Sequence, residues 1–128
     1  MENIKIQATF KSPEISFDAK QGIFDIIGNS IPENTDRFYE PLLDWLKVYF
    51  QNPRENSTLN IKLFYINSAS IRHILTLVEL MDSFYKKDIK ITVNWYYEED
   101  DEDILDNGKL YQQMVKVPIN LISYPVEY

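Results

Sequence analysis

No cysteine occurs in the chain, so disulfides, thiolate metal sites and a cysteine nucleophile are excluded. Glycine is nearly as scarce: Gly22, Gly28 and Gly108 are too few and too scattered for a Walker loop or a dinucleotide-binding fingerprint. No apolar run approaches the ~20 residues that cross a bilayer. The opening MENIKIQATF has neither the basic start nor the apolar core of a signal peptide. Positive charge is short as well, with 13 Lys and Arg against 20 Asp and Glu and a formal net charge of -7. That balance argues against nucleic acid and anionic membrane surfaces as partners, because both are held by clustered cations. Proteins or small ligands remain, and a cytoplasmic protein is the default expectation.

What is present is a globular composition. The 128 residues are 45% hydrophobic and 14% aromatic, enough for one domain over 1–128 with a real core. The chain is organised around Leu59 to Leu80. Ile61, Leu63, Phe64, Tyr65 and Ile66 form a short apolar run of the kind found in a buried strand. Ile71, Ile74, Leu75, Val78 and Met81 then recur at three- and four-residue intervals, which is one face of a helix. Between them lies Asn67-Ser68-Ala69-Ser70, whose side-chain oxygens suit the free N–H groups of a helix start. A phosphate on Ser68 would meet those donors and the positive end of the helix dipole. The plain alternative is that Ser68 or Ser70 is only a helix cap.

Taken in order, Ile4, Ile6 and Ala8 alternate with polar residues, as do Ile15 and Phe17, with a turn at Ser12-Pro13. Gly22-Ile-Phe-Asp-Ile-Ile-Gly28 reads as a third strand bounded by glycines, so the chain opens on an antiparallel meander or hairpin. A loop from Asn29 to Thr35 follows, in which Asn34 or Thr35 can cap the next helix. Phe38, Leu42, Leu43, Trp45, Leu46, Tyr49 and Phe50 cover a wide helical face over Asp36 to Phe50. Pro41 predicts either a regular helix beginning near Phe38 to Glu40 or a bend. Asn52 to Ser57 is expected as a loop. The central strand and helix come next, the helix stopping near Lys86-Lys87, and Ile89, Ile91, Val93, Trp95 and Tyr97 alternate as another strand. Strand, helix and strand predict a βαβ unit with parallel strands. The run Glu98-Glu-Asp-Asp-Glu-Asp103 lacks calcium-loop spacing and reads as a solvated acidic loop that favours a helix start. Ile104, Leu105, Leu110 and Met114 support a third helix with Asn107-Gly108 as its weak point, and Ile119, Leu121, Ile122 and Tyr124 a last strand closed by Pro125. The order β-β-β-α-β-α-β-α-β predicts an α/β fold, a mixed sheet covered by helices.

Catalysis has no positive signal. His73 is the only histidine, and its spacing from Ser70 allows contact, but a local helix-start contact is the favoured explanation of the pair. A small enzyme would have to use the Glu33, Asn34, Ser70 and His73 neighbourhood. Paired carboxylates such as Glu33 and Asp36 occur in any acidic chain. Trp45, Trp95, Tyr96 and Tyr97 fall in periodic stretches and are expected in packing roles. No metal site or cofactor is indicated.

Gly28-Asn-Ser-Ile-Pro-Glu-Asn34 with Phe38-Tyr39 and Trp45, then Tyr65-Ile-Asn-Ser-Ala-Ser70, then Trp95-Tyr96-Tyr97, resembles the SiaC family of bacterial regulatory phosphoproteins in order and spacing over nearly the full length. The resemblance implies a STAS-like fold, similar to anti-sigma-factor antagonists, and partner switching without enzymatic activity. A protein serine/threonine kinase (SiaB-like) would phosphorylate a hydroxyl and a PP2C-type phosphatase (SiaA-like) would remove the phosphate. The unmodified protein would bind and activate a diguanylate cyclase (SiaD-like), in c-di-GMP signalling and biofilm regulation. It places the phosphoacceptor on Ser68, where family members commonly have threonine, with Asn67 flanking it and Ser70 as the nearest competing acceptor. Glu33 and Asn34 match the loop motif and become a possible partner-binding loop. A STAS-like scaffold that binds partners without phosphorylation is the remaining alternative.

Overall fold

A computed structural model describes residues 1–126, so the end of the domain expected over 1–128 lies outside the described residues. The elements are β1 (Ile4–Ile6), β2 (Glu14–Asp18), β3 (Ile23–Ser30), α1 (Thr35–Tyr49), β4 (Asn56–Ile66), α2 (Ser68–Tyr85), β5 (Lys90–Glu98), α3 (Glu102–Met114) and β6 (Ile119–Tyr124). This is the order expected from the hydrophobic periods. The six strands form one sheet in chain order, β1-β2-β3-β4-β5-β6, with β1–β3 antiparallel and β3–β6 parallel. When strand order follows chain order, right-handed crossovers place every helix on the same side of the sheet. Burial follows: Ile15, Phe17, Phe24, Ile26, Leu59, Ile61, Leu63, Val93 and Trp95 alternate onto that side and pack against Leu42, Leu46, Ile74, Val78 and Tyr111 of the helices.

Among the described residues no helix lies over the opposite face. Asp25, Asn60, Asn94 and Asn120 sit in register there on four neighbouring strands. Asn60 Nδ2 donates to Asp25 (2.9 Å), Asn94 Nδ2 to Asn60 (2.9 Å) and Asn120 Nδ2 to Asn94 (3.1 Å). Asparagine disfavours strands on its own. Here each amide is satisfied by the next strand, and the ladder pins the parallel register on a face that water reaches.

Several local expectations are corrected, first the loop expected from Asn29, since Asn29 and Ser30 still pair with β4. The helix α1 begins at Thr35 behind Asn34, which puts Pro41 in its second turn and not at its start. The missing N–H leaves the Arg37 carbonyl without a helical partner, and both residues are exposed, so water can supply the lost bond. The expected loop at Asn52–Ser57 is shorter, because Asn56 and Ser57 already pair with Lys90 and Ile91 of β5. Buried Ser57 is satisfied by the Tyr49 hydroxyl at 2.8 Å. Gly108 is no weak point: a Cβ there would lie 2.5 Å from Trp95 Cδ1 and 2.7 Å from Leu121 Cδ2. The missing side chain is what lets α3 lie against the indole, whose Nε1 donates to the Ile104 carbonyl at 2.8 Å.

Candidate functional site

Because β3 to β6 run parallel, their C-terminal ends and the starts of α1, α2 and α3 meet at one edge of the sheet, where ligands and partners of open α/β sheets commonly bind. Each helix there is capped by a side chain that accepts from the N–H three residues on. Asn34 takes Arg37 N (3.0 Å), Asn67 takes Ser70 N (2.8 Å) and Asp101 takes Ile104 N (3.0 Å). The helix starts differ in charge. Asp36 lies in the first turn of α1, Glu102 and Asp103 in that of α3, and no acidic residue in that of α2. So the acidic run does favour a helix start, and among the described helices only α2 has no carboxylate of its own in the first turn, the Asp36 carboxylate of α1 reaching it at His73.

The cap of α2 is Asn67, which leaves neither Ser68 nor Ser70 with that task. Ser68 is the first helical residue, is exposed, and its hydroxyl takes no hydrogen bond among the described residues. Ser70 is 0% exposed. Ser30 Oγ donates to Ser70 Oγ (2.8 Å) and also meets the Tyr39 hydroxyl (2.5 Å), while Asn67 N donates to the Ser30 carbonyl (3.0 Å). Burial pushes the Tyr39 phenol up to about 12, outweighing the opposite effect of its hydrogen bond with Ser30, so it stays neutral at physiological pH. The Ser70 oxygen therefore lies inside a closed hydroxyl cluster, out of reach of a modifying enzyme unless α2 opens.

The residues of the enzymatic alternative are not joined to one another by any hydrogen bond among the described residues. His73 Nδ1 lies 2.8 Å from the Ala69 carbonyl and Nε2 2.5 Å from Asp36 Oδ1, its ring stacked on Tyr39 at 5.8 Å. Ser70 faces Ser30, Asn34 is spent on its cap, and Glu33 pairs with Lys11 at 3.2 Å. Glu33 and Asn34 line a shallow groove of about 440 Å³ with Lys11, Pro32, Arg37 and Phe38, an exposed loop surface at the same edge as Ser68. Among the described residues no three His, Asp or Glu side chains are grouped so as to hold a metal.

Sequence reasoning missed Ser30, Tyr39 and Asp36 as companions of the α2 start. Tyr39 carries a signal, since Tyr39, Leu42, Leu46 and Tyr49 repeat on the buried face of α1. Ser30 has none, because its partner Ser70 is 40 positions away.

Residues 6–124 match the family described as SiaC family regulatory phosphoprotein. An uncharacterised protein of Pseudomonas aeruginosa (strain UCBPP-PA14) is 21% identical over 124 residues, covering 97% of this chain and 98% of that one. SiaC of Pseudomonas aeruginosa has the same fold at 19% identity, with a TM-score of 0.89 over 97% of this chain and 100% of that one. The crystal structure of diguanylate cyclase SiaD in complex with its activator SiaC, from the same organism, also contains this fold, at 20% identity and a TM-score of 0.89 over 94% of this chain and 99% of that one. With a match that spans nearly every described element, the chain belongs to the SiaC family of regulatory phosphoproteins.

Proposed function

We propose that this chain is a non-enzymatic, cytoplasmic partner-switching protein controlled at Ser68. A serine/threonine kinase adds the phosphate, a PP2C-type phosphatase removes it, and the unmodified form binds and activates a diguanylate cyclase. The observation that carries the reading is the division of labour at the α2 start. Asn67 caps the helix, Ser70 is enclosed, and Ser68 is left exposed with an unengaged hydroxyl. Family membership and the activator role named for the Pseudomonas aeruginosa relative supply the partner class.

The switch is electrostatic. Phosphorylation adds a charge of about -1.5 to -2 to an edge already flanked by the acidic run. Inside the chain that charge is accepted by the α2 start, whose first turn has no carboxylate of its own; across an interface it must be desolvated, which opposes docking. The test is cyclase affinity and activation with Ser68→Ala and Ser68→Asp proteins. Ser68→Ala should bind and activate, whereas Ser68→Asp should be weaker. Equal affinity for both would leave a phosphorylation-independent scaffold.

A further inference from the structure

Close to Ser68 the sheet carries a slip in register. Gly28 stands opposite Leu63, but Asn29 stands opposite Tyr65, so Phe64 is an extra residue on β4. Side chains of a strand alternate between faces, and one inserted residue reverses the alternation from that point on. Phe64 and Tyr65 consequently both turn away from the helices, 41% and 69% exposed, while Ile66 returns to pack on the core. A regular strand would have put Tyr65 inside and Ile66 in water.

The two rings form one wall of a groove of about 400 Å³ whose other lining residues are Asn29, Glu98, Asp101 and Tyr124. Among the described residues no basic side chain lines it. Glu98 and Asp101 enter none of the ion pairs among the described residues, although Asp101 spends Oδ1 on its cap. Asn29 donates Nδ2 to the Phe10 carbonyl at 3.1 Å, but its buried Oδ1 has no donor among the described residues, a leftover acceptor beside the groove. The Tyr124 ring already carries the Lys62 ammonium at 4.4 Å, whereas Phe64 and Tyr65 stack on no other ring among the described residues. Aromatic faces beside carboxylates that enter no ion pair among the described residues match a planar guanidinium, which stacks on a ring while donating to carboxylates.

We propose that this groove docks an arginine side chain of the partner protein, the cyclase on the reading given above, on which this inference rests. Tyr65 and Phe64 provide the stacking surface, Glu98 and Asp101 the charge. The groove begins three residues before Ser68, so a partner seated in it also covers the switch. A phosphate at that position would then have to be stripped of water whenever the arginine docks.

The test is calorimetric titration of the full chain with the intact diguanylate cyclase, at two salt concentrations, for wild type, Tyr65→Ala, Glu98→Gln and the double variant. Tyr65 is exposed and Glu98 half-buried at the groove, and unchanged melting temperatures would establish that the variants are folded. Each single variant should raise Kd by about tenfold, and the double by less than the product, because the two residues hold one guanidinium. Glu98→Gln should also flatten the salt dependence. If Ser68→Asp weakens binding while Tyr65→Ala and Glu98→Gln leave Kd unchanged, the groove assignment is overturned and the switch stands. If wild type shows no binding to the cyclase, the switch reading and the groove assignment both fall.

Discussion

Ser30 Oγ donates to Ser70 Oγ across 2.8 Å and joins the end of β3 to the first turn of α2. A serine hydroxyl has one proton to give, so Tyr39 must be the donor in its 2.5 Å contact with Ser30. The direction Tyr39 to Ser30 to Ser70 makes each hydroxyl the acceptor of the one before.

Removing the end of that chain strands a buried proton. Ser70→Ala should cost about 1–3 kcal/mol of unfolding free energy, because the Ser30 hydroxyl loses its acceptor in a dry site. Ser68→Ala, at an exposed hydroxyl, should stay within about 0.5 kcal/mol of wild type. Urea denaturation of the two variants measures the contrast, and equal losses would contradict the enclosure of Ser70.

Phosphate on Ser68 should stabilise the folded chain even as it disfavours a partner. Among the described helices it sits at the one start without a carboxylate in its first turn. The gain should be about 0.3–1 kcal/mol at low ionic strength and shrink as salt rises. Melting curves of the phosphorylated and unmodified protein, in low and high salt, give the difference directly.

Gly108→Ala separates helix propensity from packing. In an exposed helix the change would stabilise by about 0.5–1 kcal/mol. Here the new methyl meets the Trp95 ring at 2.5 Å and Leu121 at 2.7 Å. Overpacking of this kind costs about 1–3 kcal/mol, so the net effect should be destabilising. Chemical denaturation with indole fluorescence as the probe reports both the sign and the disturbance at Trp95.

Asp82 ties α2 to the segment before β6. Its Oδ1 accepts from Lys116 N (2.8 Å) and Val117 N (2.9 Å), and Oδ2 pairs with Lys86 at 3.0 Å. Burial pushes the carboxyl up, but the Lys86 contact and the Val117 and Lys116 N–H groups together outweigh it, and the group lies below its ordinary 3.8. A carboxyl depressed by folding adds stability above its unfolded value. That stability is lost as pH falls from about 4 through the folded value. Asp82→Ala should cost about 3 kcal/mol at pH 7, by leaving two N–H groups unpaired, and should remove this part of the acid sensitivity. Unfolding free energies of both proteins between pH 7 and pH 3 check the size and the slope.

Much of the fold is legible in the residues because it rests on local periods. Ile71, Ile74, Leu75 and Val78 mark a helix, and Ile91, Val93 and Trp95 mark a strand, whatever surrounds them. The errors fall where neighbours in space outweigh neighbours in sequence. Asn56 and Ser57 look like a loop until β5 pairs with them, and Gly108 looks like a break until the Trp95 ring fills the place of its side chain.

At the α2 start the sequence by itself determined that small polar residues stand between a strand and a helix, so that a hydroxyl would lie near unpaired N–H groups. It also set the charge of the edge and the order of every element. Only the tertiary structure decided which serine faces water, because Ser70 is closed off by Ser30 from 40 positions away and by Tyr39 on another helix. The outward turn of Tyr65 was likewise decided by pairing with Asn29, since a register between distant strands is a property of the folded sheet and leaves no period in the chain.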